Sequence, residues 1–256
     1  MLWTLLFSAQ SFAQGTSDWH LDKMPVDLET DYALSALPPH LRNEATVYLL
    51  DPQKGYYVGR QGSNGYICFI SRTEWEWSEF RDDVCTPISY DAEGARAIFP
   101  VCMDVAAMRA SGKYSATQIR DSIINRIRTG IYKAPLKPGM SYMLAPVMRV
   151  YPGNPPKIKE PITISMPHYM LYAPYLTEEN ARYQPGTDGL MLANPDNAIL
   201  GDGKAPYGYV IIPASETEKA VIVEEGKQLL KRLAAYKAYF AVTSGGGHHH
   251  GAAANQ

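Results

Sequence analysis

Outside a glycine-rich tail, the chain holds three histidines: His20, His40 and His168. His20 lies near the start, and His40 stands beside Pro38 and Pro39 in a connection. His168 sits alone in the apolar and aromatic run "ITISMPHYMLYAP" (162–174). A histidine that works as a general base needs a carboxylate or nucleophile within hydrogen-bond reach. The acids available in one cluster are Glu74, Glu76, Glu79, Asp82 and Asp83, in "TEWEWSEFRDD". Their spacing reads first as a solvated face. Three scattered histidines make a histidine-rich metal site hard to assemble, so no metal and no cofactor are expected. The chain has no G-x-S-x-G, no phosphate-binding Gly-rich loop ahead of a helix and no H-E-x-x-H.

Composition narrows the classes further. The 256 residues are 46% hydrophobic and 20% charged, enough for a sizeable core. A formal net charge of -2 gives no electrostatic case for nucleic acid or an anionic membrane surface. Eighteen tyrosines suit half-buried strands and binding surfaces equally well.

The opening "MLWTLLFSAQSFAQG" reads as a signal peptide over residues 1–13, with a short apolar run and small residues before the cleavage point. No later stretch approaches the ~20 apolar residues that span a bilayer. A periplasmic or secreted location is therefore expected. In an oxidising compartment the three cysteines, Cys68, Cys85 and Cys102, suggest one disulfide and one remaining thiol, and the spacing allows any of the three pairings. The tail 244–256, with its Gly, His and Ala, cannot bury a core.

Residues 14–243 read as one domain. Asp27–Leu37 is a short helix stopped by the Pro pair. Strands follow at Thr46–Leu50, Tyr56–Arg60 and Tyr66–Ser71, with Asn64-Gly65 as a hairpin signal, so an antiparallel meander is expected. The stretch 73–90 reads as an irregular loop. Asp91–Arg109 has helical spacing interrupted by Pro100. It carries Cys102 on its apolar stripe, where it reads as a buried thiol. Ser115–Thr129 is the clearest helix. Ser115 and Gln118 form a capping box, Ile119, Ile123 and Ile127 recur every four residues, and Gly130 terminates it. Strand patterns return in "MSYMLAPVMRVY", "ITISMPHYMLYAP", "GLMLAN" and "YGYVIIP". A long helix capped by Ser215 closes the domain. Strands in runs, then helices in runs, imply an α+β fold with a largely antiparallel sheet.

Several stretches together resemble an uncharacterised family of exported bacterial proteins. They are "SNGYICFISR" (63–72), "DDVC" with "YDAEGARAIFP" (82–100), "GMSYMLA" (139–145), "PHYMLYAP" (167–174) and "YVIIP" (209–213). The family pattern is N-G-F/Y-x-C, a second Cys, M-S-Y-M and P-H-x-M. The resemblance implies a Cys68–Cys85 disulfide and leaves Cys102 as a thiol. Some members carry His-Pro-His where this chain has Met166-Pro167-His168, so a two-histidine site does not transfer. No activity comes with it.

Two functions are expected from this reading. The first is a non-catalytic exported domain that binds a small apolar or aromatic ligand, or a partner, through His168, Met170, Tyr172, Tyr142 and Tyr209 on the late strands. The second is an exported hydrolase using His168 with a carboxylate of the 74–83 loop. Alternation puts His168 on the parity of Met170 and Tyr172, and Pro167 marks a strand irregularity.

Overall fold

The structure, a computed structural model, describes residues 20–152, 160–182, 191–193, 200 and 205–241. The expected signal peptide at 1–13 and the tail at 244–256 lie outside them. The α+β class with mostly antiparallel sheets is the architecture found.

The chain opens with α1 (Val26–Leu34) and a short α2 (Pro39–Arg42), separated by a turn that precedes the proline pair. β1 (Thr46–Asp51) and β2 (Gly55–Arg60) form the expected hairpin. The next step differs from a meander. β3 (Ile67–Ser71) pairs with the other side of β1, in parallel, through Thr46–Ile67 and Val47–Cys68. The loop "QGSNGY" steps over the start of β1 instead of folding back on β2. The Ser63 and Asn64 amides donate to the Glu44 carbonyl, and the Asn64 side chain donates to the Leu41 carbonyl and accepts from the Tyr66 amide. Gly62 permits this crossing, because a Cβ there would lie 2.2 Å from the Glu44 oxygen. Gly65 supplies the positive φ of +80°. The Asn-Gly pair therefore does turn the chain, but towards a different partner.

β4 (Thr86–Tyr90) completes the sheet in the order β2-β1-β3-β4. It lies inside the stretch read from sequence as loop. Pro87 hides it, and an edge position in the ladder tolerates that proline. β3 is buried on both faces. Ile67 and Phe69 enter one core with Tyr90 and Phe99, whereas Cys68 and Ile70 enter another with Tyr32, Cys85, Leu233 and Phe240.

On the first face lie α3 (Ala92–Ala97), α4 (Phe99–Ser111) and α5 (Ala116–Arg128). The break at Ile98 is the split expected from Pro100, which occupies the first turn of α4. α5 has the expected capping box between Ser115 and Gln118 and buries Ile119, Ile123, Ile124 and Ile127. The motif "MSYMLAPVMRVY" yields two strands, β5 (Met140–Met143) and β6 (Met148–Val150), parted at Pro146. "ITISMPHYMLYAP" likewise splits at Pro167. β7 (Ile162–Ile164) pairs with β6, and β8 (His168–Tyr172) joins β5. A short α6 (Glu178–Ala181), β9 (Met191–Ala193) and β10 (Tyr209–Pro213) follow, giving an antiparallel second sheet in the order β5-β8-β10-β9. The closing helix is two helices, α7 (Glu216–Glu225) and α8 (Lys227–Tyr236), meeting at Gly226. α1 and α8 cover the second face.

Serines join the two sheets. Ser89 Oγ accepts from the Tyr142 amide and donates to the Tyr142 carbonyl, both at 3.0 Å, and Ser141 Oγ donates to the Ser89 carbonyl. These hydroxyls stand where a strand ladder would otherwise run between β4 and β5.

The Cys68–Cys85 disulfide is not formed, and all three cysteines are thiols. Register explains why. Cys68 pairs with Ser89 and Ser71 with Thr86, which places Cys85 opposite position 72. Four strand positions separate the two cysteines, about 13 Å at ~3.3 Å per residue, whereas a bridge needs Cα atoms within about 7 Å. Burial pushes both thiols above their ordinary range, which leaves them inert. Cys102, expected as a buried thiol, is half-buried on α4.

Candidate functional site

Four of the five residues expected to line a site do come together, but as core. His168, Met170 and Tyr172 point to one face of β8, and the directly paired Tyr209 shares it. Met170, Tyr172 and Tyr209 belong to the first core cluster. His168 is only 3% exposed, and its Nδ1 bonds the Met166 carbonyl at 2.7 Å. Burial lowers its pKa and keeps the ring neutral, with the Nδ1 proton given to that carbonyl. Tyr172 donates to Asp91 at 3.1 Å and to the Met140 carbonyl at 3.2 Å. Its ring packs where Gly94 and Gly139 lack side chains. Tyr142 is on the opposite face, because it pairs with Tyr169 and not with an even-numbered residue of β8. Its ring stacks edge-on against Tyr169, at 5.7 Å between centroids.

Open space occurs elsewhere. A cavity of about 190 Å³ lies between the first sheet, α4 and the loop 72–80. Leu50, Tyr56, Thr86, Ile88 and Tyr90 form the sheet side. Cys102, Val105, Ala106, Arg109 and Ala110 form the helix side, at the i, i+3, i+4, i+7 spacing of one helical face. Small side chains on that face leave the space. Thr73, Glu74, Trp75 and Glu76 form the third wall.

That wall is held by arginines from two helices. Arg109 donates through Nη1 to the Arg72 carbonyl at 2.7 Å and through Nη2 to the Phe80 carbonyl, with its guanidinium 5.5 Å from the Phe80 ring. Arg120 of α5 donates to the Glu76 carbonyl at 2.9 Å. Glu74 and Glu79 exchange main-chain hydrogen bonds across a 3₁₀ turn at Trp75–Trp77, and Ser78 takes a positive φ of +60° to close it. Trp75 and Phe80 are buried, and they anchor the loop to the body.

The electrostatics of the cavity are unusual for its size. Loss of solvent, then the neighbouring Glu76, raises the Glu74 carboxyl to about 8. Burial and the nearby Arg72 lower the Arg109 guanidinium to about 10. Tyr56 is held neutral by burial and donates to the Ile70 carbonyl at 2.6 Å.

Sequence reading placed these acids on a solvated face. The signal it passed over is Trp75, whose buried ring anchors the turn that sets Glu74 and Glu76 on the cavity wall. Cys102 was placed correctly on an inward stripe of α4, but the stripe faces a void and not only core. Among the described residues, no group of three His, Cys, Asp or Glu could hold a metal ion, and no helix is long and apolar enough to cross a membrane. A scan against protein-family models, a search of curated proteins and a search of solved structures return no match for this chain.

Proposed function

We propose that this protein binds a small, largely apolar or aromatic ligand in the cavity between the first sheet and α4, without performing chemistry on it. The cavity carries the reading. Its volume of about 190 Å³ exceeds an engineered 150 Å³ cavity that takes benzene. Its lining is mostly apolar with a few polar groups, the usual make-up of a small-molecule site. The expectation of ligand binding is kept, but its residues change from the late strands to Tyr56, Trp75, Ile88, Val105 and Ala106.

A hydrolase built on His168 has less behind it. Its hydrogen bond runs to a main-chain carbonyl, and it does not line the cavity. Export to the periplasm or the medium is supported by the apolar opening segment and by the resemblance to exported bacterial proteins. Mass spectrometry of the mature chain checks it through loss of the first 13 residues.

Ligand-observed NMR with 2-phenylethanol tests the binding reading. Saturation transfer is expected with the wild-type chain and is expected to vanish in Ala106→Phe, which fills the cavity. Equal transfer in both proteins would place the binding elsewhere.

A further inference from the structure

The turn that carries α5 into β5 holds two aliphatic side chains out in solvent. Leu136 is 79% exposed and Ile131 is 64% exposed, the two highest values among the large apolar side chains of the described residues. Neither is a loose end. Gly130 takes a φ of +71°, its amide donates to the Ile127 carbonyl, and the Ile131 amide reaches back to the Arg126 carbonyl. A helix end of this kind usually comes with an apolar contact from the position of Ile131 back onto the helix. Here the helix offers Asn125 and Arg126, and the Arg126 guanidinium is turned to Asp104 and Tyr132. Tyr132 and Pro135 are buried. The Tyr132 hydroxyl donates to Asp104, and the Leu136 amide donates to the Glu93 carboxylate. The backbone of the turn is thus pinned at several points, and it presents Ile131 and Leu136 outward.

The charge around these side chains has one sign. No Asp or Glu occurs between Asp121 and Glu160. Arg128, Lys133 and Lys137 are exposed, and among the described residues none of the three forms an ion pair. The acids that approach the turn are engaged, Glu93 by Arg96 and Asp104 by Arg126. A net charge of -2 averages this turn with acidic segments elsewhere and so hides it. We propose that the turn seats the protein on an anionic phospholipid surface, with Leu136 and Ile131 entering the acyl boundary and the three cations meeting headgroup phosphates. Aliphatics beside long basic side chains suit that interface, because lysine stems lie along the apolar zone while their ammonium groups stay among the headgroups. A protein partner fits less well. A stable protein interface takes about 800 Å² from each side and is depleted of lysine, and Tyr132, the one ring of the turn, belongs to the core. The seat is separate from the ligand cavity, which no residue of the turn lines.

Co-sedimentation of the full chain with large unilamellar vesicles tests this, with phosphatidylglycerol and phosphatidylcholine mixed in one set and phosphatidylcholine alone in the other. Residues 1–13 carry no Lys, Arg, Asp or Glu, so they add equally to both sets and leave the ratio to the turn. Each cation beside an anionic leaflet raises partitioning about fivefold, so the mixed vesicles are expected to bind about a hundredfold more strongly. That preference should fall about tenfold at about 0.5 M salt. Lys133→Gln combined with Lys137→Gln is expected to cut binding to the mixed vesicles about twentyfold and to leave the neutral ones unchanged. Leu136→Gln is expected to cut it about tenfold. These side chains are exposed, so the variants should keep the wild-type melting temperature. Val221→Gln, at an exposed valine elsewhere, should change nothing. Equal binding to both sets, binding to neither, or full binding by Leu136→Gln overturns the proposal. Absence of vesicle binding together with salt-sensitive binding to polyglutamate would assign the turn to an acidic protein instead.

Discussion

The first sheet under α4 and the late sheet around β8 both line up tyrosines on a strand face, yet one encloses space and the other is solid. In the late sheet Tyr172 is wedged between two glycines. A Cβ on Gly94 would lie 2.1 Å from its hydroxyl, and one on Gly139 would lie 2.6 Å from its ring. In the first sheet Tyr56 and Tyr90 line a cavity together with Cys102, Val105, Ala106 and Ala110 of α4, whose short side chains leave part of the space between sheet and helix unfilled. The difference lies in the facing element. An aromatic strand becomes core when its partner yields backbone room for the ring, and a cavity wall when its partner faces it with side chains too small to fill the space.

The largest effect should come from the solid region. Tyr172→Ala removes a buried ring and two hydrogen bonds, and is expected to cost about 3–5 kcal/mol in urea denaturation. A cost near 1 kcal/mol would mean that the late sheet is loose, and the contrast would fail. Gly94→Ala tests the same contact from the other side. Overpacking against the Tyr172 hydroxyl is expected to cost about 1–3 kcal/mol.

Next comes the clamp on the cavity wall. Arg109→Leu leaves the Arg72 and Phe80 carbonyls without their charged donor and should cost about 2–3 kcal/mol. It should also weaken binding of 2-phenylethanol, because the loop 72–80 loses its tie to α4. Unchanged binding would separate the clamp from the cavity.

Glu29 gives a pH test on the opposite face of the first sheet. It is 3% exposed, its Oε1 accepts from the Leu50 amide at 2.7 Å, and its Oε2 is buried without a hydrogen-bond partner. Burial raises its pKa from 4.5 to about 7. Below pH 4.5 the carboxyl is protonated folded and unfolded, and it costs nothing. From pH 4.5 to 7 the unfolded chain releases the proton while the folded chain keeps it, so stability falls, and above pH 7 the loss is constant. Glu29→Gln should therefore gain about 2–3 kcal/mol over wild type at pH 8 and almost nothing at pH 4. A flat difference across that range would remove Glu29 as the cause.

The smallest effect on binding is expected at the residue most conspicuous in the sequence. His168→Ala should lower stability by about 1–3 kcal/mol, as loss of a buried hydrogen-bonded ring does, and should change affinity for 2-phenylethanol less than twofold. A large loss of affinity with unchanged stability would move the site back to β8.

Local signals were legible where local physics decides. The capping box at Ser115, the isoleucine stripe of α5, the split at Pro100 and the parity of His168 with Met170 and Tyr172 all follow from nearest neighbours along the chain. β4 was hidden because its Pro87 sits on an edge position that the sequence could not reveal. Tyr142 was grouped with His168 because a strand's parity is readable only within the strand. Its face relative to β8 depends on register, which pairs it with Tyr169. The place of Glu74 and Glu76 on a cavity wall was not legible, because Arg109 and Arg120, on separate helices, fasten that loop to the body.

By itself, then, the sequence determined an α+β chain with most of its longer helices and most of these strands, because periodicity, caps and breakers act over a few residues. Tertiary structure alone decided three things. β3 lies parallel to β1, the thiols of Cys68 and Cys85 stay about 13 Å apart along the ladder, and the space lies beside Glu74 and not beside His168. Each depends on which distant residues face one another across a sheet or under a helix, and chain spacing carries no record of that.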